Sequence, residues 1–275
     1  MSSLPPPGPP TGPLASLPAP GPGRRPPRRT RALIIGGVLA AVVLALAVVL
    51  VTLLRGGGGN GGAESGSDSV SPSPVDSAAA RAAARDLAAR VALTTTDWGP
   101  GFVESDRYET SPVPESVVLE TCEWSTRASR AGTLASISRT VYNEEFTLSA
   151  TSEVRVYADE AAAEQYVADA REAIHRCPDQ HQGNARWTGV REAAPPKVPG
   201  FEELVSEEGK QVVADDGTKT NFVYVLLTGR ANERVLTASA SGDAKQTDRI
   251  REQAADGLRT MRQRLTQQAA AAAGR

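Results

Sequence analysis

SEVRVYADEAAAEQYVADA, Ser152 to Ala170, is the stretch on which the fold class turns. Val154 and Val156 alternate as on one side of a strand, and Tyr157 follows less cleanly. Asp159 then stands where a helix needs a cap, and Ala163, Val167, Ala170 and Ile174 recur at helical spacing. A strand therefore runs directly into a helix, which Cys177-Pro178 closes. The junction recurs at TASASGDAK (237–245), where an alternating strand leads to a helix from near Thr247. Its stripe of Ile250, Ala254, Leu258, Met261 and Leu265 is the cleanest period in the chain. The two junctions suggest a weakly duplicated plan, a strand meander followed by a covering helix.

Working outward, strands are expected at 122–126, 133–142, 148–158, 186–192, 201–213, 219–229 and 233–241, with turns at Asp216-Gly217 and Gly229–Glu233. A first helix, capped by Asp76, carries Ala80, Ala84, Leu87 and Val91 on one stripe, and TTTDWGPGF (94–102) ends it. The expected class is α+β, an antiparallel sheet covered by helices on one side. This domain occupies 76–266, and QQAAAAAGR (267–275) is expected to fray.

The first 75 residues differ in kind. ALIIGGVLAAVVLALAVVLVTLL, Ala32 to Leu54, holds no charge, Asn or Gln, and as a helix it spans about 35 Å. That predicts a single transmembrane helix. The run is longer than a signal-peptide core, and Arg55 followed by GGGGNGG offers no good cleavage site. Arg24, Arg25, Arg28, Arg29 and Arg31 precede it and only Arg55 follows closely, so the N-terminus is expected in the cytoplasm and the C-terminal domain outside. Residues 1–31, Pro- and Arg-rich, read as a disordered tail, and 55–75 as a flexible Gly/Ser/Pro linker. All 32 acidic residues lie beyond Arg55, where they outnumber the cations, so the globular part repels phosphate and no nucleic-acid partner is expected.

Only two cysteines occur, Cys122 and Cys177, both in the domain expected outside the cell, and there an isolated pair forms a disulfide. Its rival, a metal site from His175, Cys177 and His181, matches no zinc spacing and is not expected. There is no nucleophile elbow, H-E-x-x-H, P-loop or dinucleotide turn, so no cofactor is expected. Glu144 or Glu145 with Glu203 could form a glycosidase-like carboxylate pair, but the first two read better as a solvated turn, and Glu202-Glu203 with Glu207-Glu208 as an acidic surface. The expectation is a protein that binds and is not an enzyme.

TTTDWGPGF after an Ala-rich helix, CEW (122–124), the run 152–170 and the Cys177 that ends its helix together resemble the extracellular sensor domains of actinobacterial receptor serine/threonine kinases, the PknH-like family. The resemblance covers about 76–266 and implies an α+β fold with a cleft for an envelope ligand. Two features depart from that pattern. The sequence carries no kinase domain beside its 31-residue tail, and it has one cysteine pair where such domains often have two. The leading reading is thus a membrane-anchored extracellular domain recognising a cell-envelope ligand. The alternative is an accessory partner of another envelope protein. A cleft with polar groups favours the first, and a flat exposed apolar patch favours the second. Trp98, Trp124 and Trp187 are the candidate cleft residues, with ordinary core packing as the competing role for each.

Overall fold

A computed structural model of the protein describes residues 74–215 and 218–274. The tail, the span at 32–54, nearly all of the linker and the Asp216-Gly217 turn lie outside the described residues. Among the described residues no helix is long and apolar enough to cross a membrane.

Three helices and ten strands make up this region. Helix α1 covers Pro74–Val91 and ends in a short turn, Thr95–Trp98. Strands β1 (Phe102–Thr110), β2 (Glu115–Val118), β3 (Trp124–Arg127), β4 (Thr133–Asn143) and β5 (Leu148–Tyr157) lead to α2 (Glu160–Arg176). Then come β6 (Asp179–Gln182), β7 (Ala185–Glu192), β8 (Glu203–Asp215), β9 (Thr218–Ala231), β10 (Arg234–Gly242) and α3 (Thr247–Ala273). Eight strands form one antiparallel sheet in the order β1-β4-β5-β10-β9-β8-β7-β6, while β2 and β3 form a separate hairpin. The class is α+β. Because β5 and β10 pair antiparallel, Leu236 opposite Val154 and Ala240 opposite Ala150, the strands before α2 take three consecutive positions of the sheet and those after it the other five.

Period two decides what each face does. Ile137 and Val141 of β4, Leu148, Ala150 and Val154 of β5, Val225 and Leu227 of β9, and Leu236, Ala238 and Ala240 of β10 form one buried face. Against it lie Ala84, Ala88 and Val91 of α1 and the whole expected stripe of α3, in which Ile250, Ala254, Leu258 and Met261 are fully buried. The turn after α1 docks here too. Trp98 lies flat enough on α3 that a Cβ on Gly257 would come within 2.6 Å of its ring, so glycine there is a packing requirement. Gln253 Nε2 donates to the Trp98 carbonyl at 2.9 Å. Burial alone would raise the Asp97 carboxyl, but hydrogen bonds from Thr94 and the Arg264 guanidinium hold it below its ordinary range.

Helix α2 corrects the one-sided arrangement. Asp159 caps it, accepting from the Ala162 amide at 2.9 Å, as its sequence position implies. Its stripe of Ala163, Val167 and Ile174, however, packs on Tyr157, Val205 and Val235, which point away from the main core. The reason lies in the register: at one end of the sheet the second face is also apolar, and a helix must cover it.

Smaller departures follow from local chemistry. Strands β1, β2 and β6 were not expected; β1 is an edge strand whose exposed charges hide its alternation. Helix α1 starts at Pro74, before Asp76, and Ala80 faces solvent. Gly229 lies inside β9, so the turn into β10 is only Asn232-Glu233. Helix α3 continues to Ala273 through the Ala-rich segment expected to fray, as alanine's high helix propensity allows.

Candidate functional site

The β2–β3 hairpin crosses the second face of the sheet as a strap, fixed at both ends. At its root, Val113 N–H donates to Ser136 Oγ at 2.8 Å, and the buried Arg155 donates to the Pro114 carbonyl at 2.9 Å. Glu115, 2% exposed, receives Arg127 at 2.7 Å and Arg130 at 2.8 Å. Burial would raise this carboxyl, yet the two guanidiniums hold it below the usual carboxylate range. At the tip, Cys122 and Cys177 form a disulfide that ties the strap to the end of α2. Arg176 donates to the Val118 carbonyl at 2.9 Å, and His181 N–H donates to the Cys122 carbonyl at 3.1 Å. With Cys177 in that bond the metal grouping loses its thiolate, and His175 lies 2.9 Å from Glu192.

Beneath and beside this strap is a cleft of about 260 Å³. Its floor is built of rows that cross the strands. One row runs Gly209–Tyr224–Ser241–Ser149–Tyr142, and the next Glu207–Leu226–Ser239–Thr151. Small hydroxyl residues at the centre, on β5 and β10, leave the hollow; larger rings on the flanking strands raise its sides. Phe222 stands on β9, and Trp187 of β7 lies opposite Gln211 of β8. The strap supplies the roof with Ser116, Trp124, Ser125 and Thr126. Trp124 and Trp187 meet at a ring-centroid distance of 5.8 Å, tilted by 46°. The Trp124 indole N–H donates to Gln180 Oε1 at 2.6 Å, which fixes the ring against β6.

A second chamber, about 450 Å³, lies on the other side of the strap against α2. The two share Ser116, Trp124, Glu207 and Leu226, so Glu207 sits where they meet under the hairpin. This residue is 7% exposed. Its Oε1 accepts the Tyr224 hydroxyl at 2.6 Å. The contact exists because β8 carries glycine at 209: a Cβ there would meet the Tyr224 ring at 2.8 Å, and the ring lies across the gap to reach two residues along. Burial pushes the Glu207 carboxyl above its ordinary range, opposed by the Tyr224 bond. Burial likewise pushes the Tyr224 phenol up.

The structure thus brings together two of the three candidate tryptophans, Trp124 and Trp187, at the cleft. Trp98 lies on the opposite face, buried between α1, α3 and β1. Glu203 pairs with Arg171 of α2, while Glu144 and Glu145 occupy the exposed β4–β5 turn, so these carboxylates form no shared site. The acidic-surface reading is corrected at Glu207, which is buried under the strap, and Tyr224 was not singled out, because their meeting depends on the β8–β9 register. The serines were visible as the polar half of LSATSEV and TASASG, alternating with the core residues.

No known protein family matches the sequence, and no curated protein does. In architecture the chain is similar to the extracellular domain of PknH from Mycobacterium tuberculosis, at 13% identity and a TM-score of 0.40, covering 64% of this chain and 96% of that one. It is also similar to an uncharacterised protein from Mycobacterium smegmatis, at 11% identity and a TM-score of 0.35, covering 65% of this chain and 98% of that one.

Proposed function

We propose that this protein is a membrane-anchored binding domain that holds a small cell-envelope molecule in the cleft under the β2–β3 strap. The observation that carries the reading is the cleft's lining: aromatic rings around a floor of hydroxyls, the composition of a preformed ligand pocket. The strap is fastened at both ends by a disulfide and buried ion pairs, so the cavity is organised before anything enters it. An accessory role through a flat apolar face has less to draw on. Among the described residues the large exposed apolar side chains are Val103 and Leu119, on separate elements. The apolar run at 32–54 and its preceding arginines support an anchor and an outward-facing cleft in this reading. The proposed role is capture or presentation of the molecule, without chemistry on it.

The test is retention of a small molecule. The full-length chain is incubated with extracts of bacterial envelopes, re-isolated, and examined by native mass spectrometry beside Ser239→Trp, which places an indole on the cleft floor. The reading expects a bound molecule on the wild type and none on the variant, with unchanged circular dichroism. Equal retention by both proteins contradicts it.

A further inference from the structure

Among the described residues two carboxylates are buried, Glu115 and Glu207, and they differ in their partners. Glu115 holds two arginines, and Glu208, the next residue along β8 from Glu207, holds Arg251 at 2.8 Å and Arg191 at 3.1 Å. Glu207 is more than nine-tenths buried, yet among the described residues no cation pairs with it. Its Oε1 has the Tyr224 hydroxyl, and its Oε2 has no hydrogen-bond partner among them. Taking a carboxylate out of water costs several kcal/mol unless a counter-charge replaces the lost hydration. The side chain nonetheless faces the cleft, where among the described residues it is the only charged one of the lining.

The rings around it point the same way. Trp124, Trp187, Tyr142, Phe222 and Tyr224 give the cleft five aromatic side chains, whose faces carry negative quadrupole potential. Rings together with one buried carboxylate attract an organic cation and repel an anion.

We infer that the cleft takes a ligand bearing an ammonium group, seated among the aromatic rings with its charge against the Glu207 carboxylate. This rests on the binding function proposed above and adds the chemical class. The ammonium donates to Oε2 while Tyr224 keeps Oε1, and the floor hydroxyls Ser149, Ser239 and Ser241 serve the ligand's polar substituents. Among the described residues this cleft's lining holds no arginine or lysine; Arg127 and Arg176 line the second chamber, where they pair with Glu115 and Glu172 and leave the Glu207 carboxylate open to a ligand.

Three probes of one shape and different charge test it: phenethylamine, 2-phenylethanol and phenylacetate. Each is titrated into the full-length chain while tryptophan emission is followed, since two of the three tryptophans line the cleft. The amine is expected to bind about tenfold or more tightly than the alcohol, and the carboxylate most weakly. Glu207→Gln, which keeps an acceptor for Tyr224, is expected to bring the amine down to about the alcohol's affinity. If that variant does not fold, the wild-type order alone decides. Equal affinity for amine and alcohol, no binding of the amine, or a preference that survives Glu207→Gln overturns the inference. If an envelope molecule is still retained and lost in Ser239→Trp, the cleft reading stands and only the ammonium falls. If nothing is retained, both fall.

Discussion

Glu207 and Glu208 are neighbours on β8 with opposite fates. Glu208 faces the α3 side, where Arg251 and Arg191 hold its carboxyl below the ordinary range. Glu207 faces the strap side with a single neutral donor and is held above that range by burial. The same division runs across the sheet. One face presents Leu, Val, Ile and Ala and is closed by two helices; the other presents Ser, Thr and aromatic residues and is only partly closed by α2 and the strap. The first face supplies stability, and the second gives up some of it to keep a cavity. That division is what the following experiments break or sharpen.

The largest effect belongs to the closed face. Leu258 is fully buried in mid-stripe of α3, so Leu258→Ala is expected to cost about 2–5 kcal/mol through lost transfer energy and the cavity left behind. Thermal melts of the full chain check this, and an unchanged midpoint would mean that α3 does not support the sheet. Removing the Cys122–Cys177 bond by a double serine change comes next. It releases a loop with a sequence separation of 55 and is expected to cost about 2–4 kcal/mol. Ligand retention should fall with it, because the strap loses its tip fastening. A melt unaffected by reducing agent would break the comparison on the strap side.

Glu207→Gln is expected to act in the opposite direction. An acid whose folded pKa is raised contributes stability while protonated, below its unfolded pKa, and loses that contribution as pH rises through the folded value. At neutral pH the variant should therefore melt higher than the wild type, by about 2–4 °C if the gain is about 1 kcal/mol. The difference should vanish as pH falls below the ordinary glutamate range. A variant that melts lower at every pH would show that the carboxylate is structural. Ser239→Trp should change stability least, within about 0.5 kcal/mol, because it adds to a half-buried floor beside an open cleft and removes no core contact.

What could be read from the sequence followed the same line between faces. The closed face was legible because its residues are apolar at strict intervals: β4, β5, β8 to β10 and the α3 stripe all announce themselves by period. The disulfide was legible because only two cysteines were available. Edge strands escaped because their outer residues meet water on both sides, as the run VESDRYET in β1 does. The side taken by α2 was half visible. In VRVY (154–157) both parities are occupied by large groups, which means both faces are covered, yet the pattern was read as imperfect alternation. The cleft itself was not legible. It arises where rows of small hydroxyls on β5 and β10 come to lie between rings on β4, β7 and β9, and it needs a strap tied across by residues far away in sequence. Trp98 and Trp124 have the same side chain in similarly polar stretches, and only the tertiary structure separates a core residue from a cleft residue.

That separation supplies the most direct test of the central claim, that the strap face binds a ligand and the helix-covered face does not. The full chain is labelled with fluorotryptophan, which gives three fluorine resonances, one each from Trp98, Trp124 and Trp187. Tryptophan-to-phenylalanine variants assign them. On titration with an envelope extract or with phenethylamine, the Trp124 and Trp187 signals should shift together and saturate at one concentration, while Trp98 stays in place. A shift at Trp98 with Trp124 and Trp187 unmoved would contradict the account.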